Sequence, residues 1–450
     1  MALTEEFANW SAGLRWADIP APARHHAQRC VLDWLGCTIA GGVLPVTRAL
    51  RAALDGELLP PDATMRATPL IPDGRPAPAR VAALINGTAA HAAEFDDIYA
   101  PGLFHTGCPT ISAAHAVGMT SHCSGADFLL AVIAGYEVSN RIARTVNPSH
   151  YDHWHTTGTV GVFGATAAAS RLLGLDAAQT GHALGTAATC AAGLRAGFGG
   201  DTKPLHSGRA AEAGVLAAQA ARAGFLAPPD MLEGPAGFGA ATSRAPDWSM
   251  AAVGLGTEFT IERMTVKQHG CCGHAFAALD ALSMLQVAHG FAAEDVTGLT
   301  VATYAKAVEI LDNPEPNTAN AARFSLPFCA ATMLRFASVA LPHFTPERLA
   351  DPTTLDLARR VQLTVDDGFE AAFPARRGAK VQVLLKDGRR FEERVPDRHG
   401  SPEAPLSDEA LTAKFHTLAD PVLGPARAGA LASALWALDD ASDLRKVFGA

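Results

Sequence analysis

The 450-residue sequence is poor in aromatics, at 7%, and in charge, at 18%. It has no basic tail and no run of Lys or Arg, and its formal net charge is −9. Nucleic acid is therefore a poor partner, because phosphate binding needs clustered cations. No apolar run approaches the ~18 residues that span a bilayer, and Phe128 to Ala134 is typical of the short ones present; no membrane partner is expected. The start, Met1-Ala-Leu-Thr-Glu-Glu, lacks the basic and apolar regions of a signal peptide. Eight cysteines, scattered apart from Cys271 and Cys272, do not form a disulfide framework. These absences favour a cytoplasmic setting. No Gly-x-Gly-x-x-Gly unit follows a strand, and there is no Gly-x-Ser-x-Gly elbow. The glycine-rich run before Lys203 lacks the Gly-Lys-Ser/Thr order of a P-loop.

What is present is apolar mass, 48%, mostly Ala, Leu and Val, enough for a globular chain with a large core. Ala-rich segments are strong helix formers. Residues 22–41, 79–93, 126–144, 159–174, 177–193 and 208–224 carry apolar residues at helical spacing between Gly, Pro, Asp or Thr boundaries. After about residue 260 the texture changes. Segments 297–304, 360–366 and 379–385 alternate as strands do. Lys386-Asp387-Gly388-Arg389 then reads as a hairpin turn, with Arg390 to Val395 as the return strand. Helical patterning lies between, at 274–288 and 323–338, and resumes at 407–419 and 426–438. The expected fold is mainly α with an α+β insertion. A large all-helical domain comes from both chain ends, residues 1–262 and 399–450, and a smaller α+β domain spans 263–398.

Four segments carry candidate chemistry. In 86–110, a helical lead-in with His91, Glu94, Asp96 and Asp97 precedes a loop presenting His105. Carboxylates beside a loop histidine orient it or raise its pKa; capping a helix end would use the same acids. In 150–159, three histidines and one aspartate fall close together. His153-x-His155 spacing can chelate a metal, while a histidine just before Thr156 would sit at a helix start, where anions bind, and act as acid or base. In 197–209, glycines allow close ligand approach and Pro204 stiffens the placement of Lys203 on its loop; Lys203 then anchors a carboxylate or lies on the surface. In 263–280, Lys267, His269 and His274 flank Cys271 and Cys272. A nucleophilic thiol and plain packing both suit that pair.

Six stretches in order are similar to the MmgE/PrpD family: NGTAAHAAEFDD with His105 downstream, WHTTGTVGVFGATAAA, TKPLHSGRAAEAGVLAA, VKQHGCC with Asp280 beyond it, ARFSLPFCAA, and KDGRRFEERV followed by PLSDEALTAKF. The resemblance covers nearly the whole chain. It implies a helical domain built from both chain ends and an α+β lid, a homodimer, no metal and no organic cofactor, and a site between the two domains that takes a small carboxylic acid. It carries catalytic roles onto His105, His155, Lys203 and Lys267, and substrate contacts onto Glu94, Asp96, Asp97, His206, Cys272, His274 and Phe328. Three positions depart from the family's decarboxylases: Ile98 replaces a threonine, Phe328 a tyrosine and Cys272 a histidine. The implied activity is a hydro-lyase like 2-methylcitrate dehydratase, with epimerase, decarboxylase and silent carboxylate-binding relatives as alternatives. Removing a proton beside a carboxylate builds charge that the lysines would stabilise, while His155 and His105 divide the base and acid roles, His155 as base.

Overall fold

A computed structural model describes residues 2–63 and 67–448. The chain divides into two compact units, Met1–Thr265 with Ser407–Ala450, and Val266–Leu406. Among the described residues, the regular structure of the first is helical apart from a two-residue ladder between Thr68–Pro69 and Pro76–Ala77 and isolated bridges such as Trp154–Leu194. Its main helices are α1 (Ala21–Gly42), α2 (Ala79–Ala92), α3 (Gly107–Ser121), α4 (Gly125–Val146), α5 (Gly161–Leu172), α6 (Ala177–Cys190) and α7 (Thr202–Arg222). α4 and α6 begin with complete capping boxes, at Ser124/Asp127 and Asp176/Gln179, each satisfying two of the amide groups a helix start leaves open. Among the described residues no single helix is long and apolar enough to cross a membrane.

Small residues set the packing. Ala83, Ala113, Ala116, Ala165, Ala169, Ala211 and Ala218 share one buried cluster from α2, α3, α5 and α7. α2 and α7 run antiparallel in close contact: Arg80 pairs with Glu212 near one end and Lys203 with Glu94 at the other. Gly208 makes the approach possible, since a Cβ there would lie 2.2 Å from the Leu84 carbonyl oxygen and 2.3 Å from Thr88 Oγ1. The C-terminal residues pack into the same unit. The next long helix, Asp408–Leu423, lies against α1, where buried Lys414 pairs with Asp33 and donates to the Phe95 carbonyl at 2.7 Å. The residue that closes the chain's return thus also holds the loop after α2.

In the second unit a helix at Phe276–His289 and another at Leu326–Phe336 pack on a four-stranded mixed sheet. With β1 Val296–Thr303, β2 Val361–Val365, β3 Ala379–Leu385 and β4 Arg390–Val395, the order is β2-β1-β3-β4. β1 and β2 are parallel, Leu299 opposite Val361; β3 is antiparallel to both β1 and β4, with Val301 opposite Val381 and Val383 opposite Phe391. Alternation puts Leu299, Val301, Val381 and Val383 in the core, as period-2 patterning requires. Gly388 takes φ 86° in the β3–β4 turn, a conformation glycine adopts without cost.

His115 on α3 is buried against Trp34 and Phe448, at ring distances of 5.5 and 5.0 Å, and neither ring nitrogen has a hydrogen-bond partner among the described residues. Burial pushes its pKa down to about 3, while in the unfolded chain it titrates near 6.5. The unfolded state therefore binds a proton that the folded state refuses, so this contribution is complete above about pH 6.5 and is lost as pH falls from there toward 3. Lowering pH from 7 to 4.5 should remove about 3 kcal/mol through this residue. His115→Phe should show a shallower loss in denaturant titrations at the two pH values; an unchanged loss would refute the assignment.

Candidate active site

The α2 helix ends before the acidic motif does. Glu94 stands just past it in a left-handed conformation, φ 59°, which a non-glycine residue holds only when its surroundings impose it. Its carboxylate meets the Lys203 ammonium in a short ion pair, both residues mostly buried. The structure corrects the expectation for Lys203: it lies in the first turn of α7, not on a loop, with Pro204 where a helix tolerates proline. It also already holds a protein carboxylate, and its ammonium lies 5.6 Å from the centre of the Phe198 ring.

Asp96, 1% exposed, is the hub of the loop. Its Oδ2 lies 2.8 Å from His91 Nδ1, 2.8 Å from His105 Nδ1 and 3.1 Å from Cys108 Sγ. Burial alone would push this carboxyl up, but the charges and hydrogen bonds of the two imidazoles outweigh it and hold Asp96 well below the usual carboxylate range. His91 Nδ1 is hydrogen-bonded to Asp96, while His105 Nδ1 meets the same oxygen as an ion-pair contact. Asp97 faces elsewhere. It accepts from the Tyr136 hydroxyl at 2.7 Å and the Gly107 amide at 2.9 Å, and burial with neighbouring Asp33 raises its pKa to about 7; it anchors the loop to α3 and α4.

His155 is the N-terminal flank of a single four-residue turn, Thr156–Thr159, rather than of the longer helix read from the sequence; that helix, α5, begins at Gly161. Backbone pairing fixes its place: the His155 amide donates to the Gly193 carbonyl and the Arg195 amide to the His153 carbonyl, both at 2.9 Å. The ring stacks on His91 at 5.5 Å and meets Phe198 edge-on at 4.9 Å. Its Nδ1 lies 3.1 Å from Nδ1 of His206. Burial first, then His91, Lys203, His105 and His206, lowers the His155 pKa well below its ordinary value. A neutral imidazole enclosed by other bases can accept a proton.

The helical unit therefore gathers Glu94, Asp96, His105, His155, Lys203 and His206 in one connected cluster, and adds two residues to which no site role was carried over, His91 and Phe198. The signal for His91 was its place five residues before Asp96; nothing in the linear spacing marked Phe198. The His153-x-His155 chelate does not form, since His153 is exposed and His155 buried. Among the described residues, the group whose ligand atoms are close enough to hold a metal ion, within 4.8 Å of one another, is His91, Asp96 and His105.

The remaining expected residues lie in the second unit. Lys267 is buried there, beside Val266, whose amide donates to the Gly400 carbonyl. His269 Nε2 lies 3.1 Å from Asp280 Oδ1, and Asp280 Oδ2 accepts from the His399 amide at 2.8 Å. His274 Nδ1 meets the Tyr304 hydroxyl at 2.6 Å, and burial lowers its pKa to about 3. Burial pushes the Cys271 thiol well up, which argues against a thiolate nucleophile, while Cys272 is half-buried. Phe328 is 1% exposed and belongs to this unit's core.

Comparison with known proteins matches residues 5–251 to the MmgE/PrpD N-terminal domain and residues 269–440 to the MmgE/PrpD C-terminal domain. The chain is 28% identical to the human cis-aconitate decarboxylase over 434 residues, covering 94% of this chain and 89% of that protein. It is 27% identical to the cis-aconitate decarboxylase of Aspergillus terreus, covering 98% and 94%. To the cis-aconitate decarboxylase-like protein oryM of Aspergillus oryzae it is 26% identical, covering 99% and 96%. With both of its halves matched in order along nearly its whole length, the chain belongs to the MmgE/PrpD family.

Proposed function

We propose that the protein is a lyase acting on a small di- or tricarboxylic acid, by proton transfer at the carbon next to a carboxylate, with dehydration as the overall reaction. The observation that carries this reading is the joined pair of histidine systems in the helical unit: His105 oriented by Asp96, and buried His155 beside Lys203. Proton transfer needs one group able to accept and one able to donate, each held in place. Neutral His155 suits the base. His105, whose imidazolium Asp96 would stabilise, suits the acid that protonates the departing hydroxyl. Lys203 supplies positive charge for the carboxylate on which charge accumulates. A substrate carboxylate reaching Lys203 must share it with Glu94 or displace Glu94, so an acid of modest size fits this role best.

Decarboxylation is the second reading, and two observations favour it. The relatives above carry that name. The departure at Phe328 also weighs less than the sequence suggested, because the residue is buried in a hydrophobic core.

The test is incubation with 2-methylcitrate, citrate and cis-aconitate in the presence of EDTA, followed by proton NMR and CO2 capture. Alkene formation without CO2 is expected; CO2 released from cis-aconitate selects the second reading. His155→Ala should lower kcat by about 10²–10⁴. No turnover of any of these acids by the wild type would refute the proposal.

A further inference from the structure

We propose that the second unit carries a carboxylate-binding site built on Arg398, Arg377 and His274. The choice of a carboxylate rests on the function proposed above; the site itself does not. Arg398 lies on the segment after β4 and is 3% exposed. Its Nη1 donates to the Gly273 carbonyl at 3.0 Å, the one hydrogen bond it makes among the described residues, and its guanidinium lies 5.9 Å from the centre of the Phe276 ring. A guanidinium has five N–H donors, so most of those on Arg398 have no protein acceptor. Burial and then the nearby Arg377 lower its pKa to about 10, which leaves it charged at neutral pH. A buried charge is costly unless it is paired, and among the described residues no carboxylate pairs with this one.

The acids nearby are engaged elsewhere. Asp280 meets His269 through Oδ1 and accepts from the His399 amide through Oδ2, and Asp397 pairs with Arg376. The surroundings of Arg398 are instead positive. Arg377 is half-buried and, among the described residues, in no ion pair. The helix Phe276–His289 begins just past Gly273 with no side-chain cap, so its first-turn amides stay open and its positive end lies next to the guanidinium. A cation is unfavourable at a helix start, and an anion held there would satisfy both. His274 adds a donor. Burial, then Arg377, Arg398 and Lys306, lowers its pKa to about 3, so the ring is neutral. Its Nδ1 meets the Tyr304 hydroxyl at 2.6 Å; with that hydroxyl donating, Nε2 carries the ring proton and can give it to a ligand oxygen.

These donors define the ligand. A guanidinium fork matches the two coplanar oxygens of a carboxylate. Arg377 supplies a second positive charge, and neutral His274 a hydrogen bond without charge. Tyr304 is fully buried and stacks on Phe373 at 4.4 Å between ring centres. This aromatic pair beside His274 gives the site an apolar wall, which suits the carbon skeleton of an organic acid better than a hydrated inorganic anion. A carboxylate has two sources, the substrate acid itself and a separate acid acting as an effector, and kinetics tells them apart.

Binding is read first, without turnover. In buffer free of other carboxylates and of phosphate, calorimetric titration of succinate into the full-length wild type should saturate, and Arg398→Met should weaken binding about tenfold or more. Arg377→Gln should weaken it about threefold and keeps the test usable if Arg398→Met does not fold. Nitrogen-15 NMR of the histidine-labelled protein places the ligand: the His274 signals should move with succinate in the wild type and stay still in Arg398→Met. Equal affinity in the wild type and both variants, or His274 signals unmoved at saturation, refutes the site. Tighter binding of inorganic phosphate than of succinate refutes the carboxylate assignment. The second experiment uses the acid that the wild type turns over. In Arg398→Lys, a KM raised by more than kcat is lowered identifies the substrate's own carboxylate as the occupant, and loss of any effect of succinate on the rate at saturating substrate identifies a separate effector. If no acid is turned over while succinate still moves His274, the function proposed above fails and the site stands.

Discussion

Asp96→Asn should lower kcat by about 10²–10⁴ while KM moves less than tenfold. Asp96 Oδ2 is hydrogen-bonded to His91 Nδ1 at 2.8 Å and lies 2.8 Å from His105 Nδ1 as its ion-pair partner. An amide oxygen in the same place can still face both rings but carries no negative charge, so the His105 imidazolium loses the carboxylate that stabilises it. The logic is that of the aspartate in serine-protease triads, whose carboxylate orients a histidine and stabilises its imidazolium. The substitution also removes a carboxylate whose pKa is held well below normal. Such a group stabilises the fold above its unfolded pKa and ceases to do so as pH falls through its folded value, so the variant should also be less stable at neutral pH. Steady-state kinetics on the acid turned over by the wild type, with circular dichroism to confirm folding, are the check. A kcat within threefold of wild type would remove Asp96 and His105 from the proton path.

Arg141→Ala should cost about 3–5 kcal/mol of stability, the largest expected effect on the fold. Arg141 is fully buried in α4. Its Nε donates to Glu137 at 3.0 Å, Nη1 to the carbonyls of Ala251 and Val253 at 3.2 and 2.6 Å, and Nη2 to the Glu258 carbonyl at 3.0 Å. One side chain thus satisfies three carbonyls of a segment with little regular structure and neutralises a buried acid. Without it Glu137 is left buried, although Thr260 still donates to its other oxygen. Burial already raises the Glu137 pKa, so the variant should take up a proton on this residue. Replacing both members by leucine should recover part of the loss, since the cost lies in the unpaired charge rather than in the absence of attraction. Urea denaturation, with limited proteolysis at 251–258, reads the effect. A loss below about 1 kcal/mol would show that backbone packing, not Arg141, holds the segment.

The parts legible in the sequence were those written in local pattern. The Ala-rich segments 79–93 and 126–144 became helices because Ala loses no side-chain entropy on folding, and residues 379–385 became a strand because alternation every second residue suits a half-buried sheet. Where neighbouring residues could not decide, reading failed. Lys203 follows glycines and precedes proline and so resembles a loop, but a proline in a helix's first turn blocks nothing.

Composition, periodicity and the ordered motifs by themselves determined the family, the preponderance of helix, the strand pattern after residue 260 and the identity of the histidines, lysines and acids worth examining. Only tertiary structure decided which of those groups touch. Lys203 meets Glu94 across 109 positions and His155 meets His206 across 51, because Gly208 lets α2 and α7 close to contact and because residues 153–155 pair with 193–195. Side-chain chemistry is a property of single residues. Tautomer, proton affinity and the route a proton takes depend on distances of about 3 Å and on exclusion of water, and these arise only when distant segments pack.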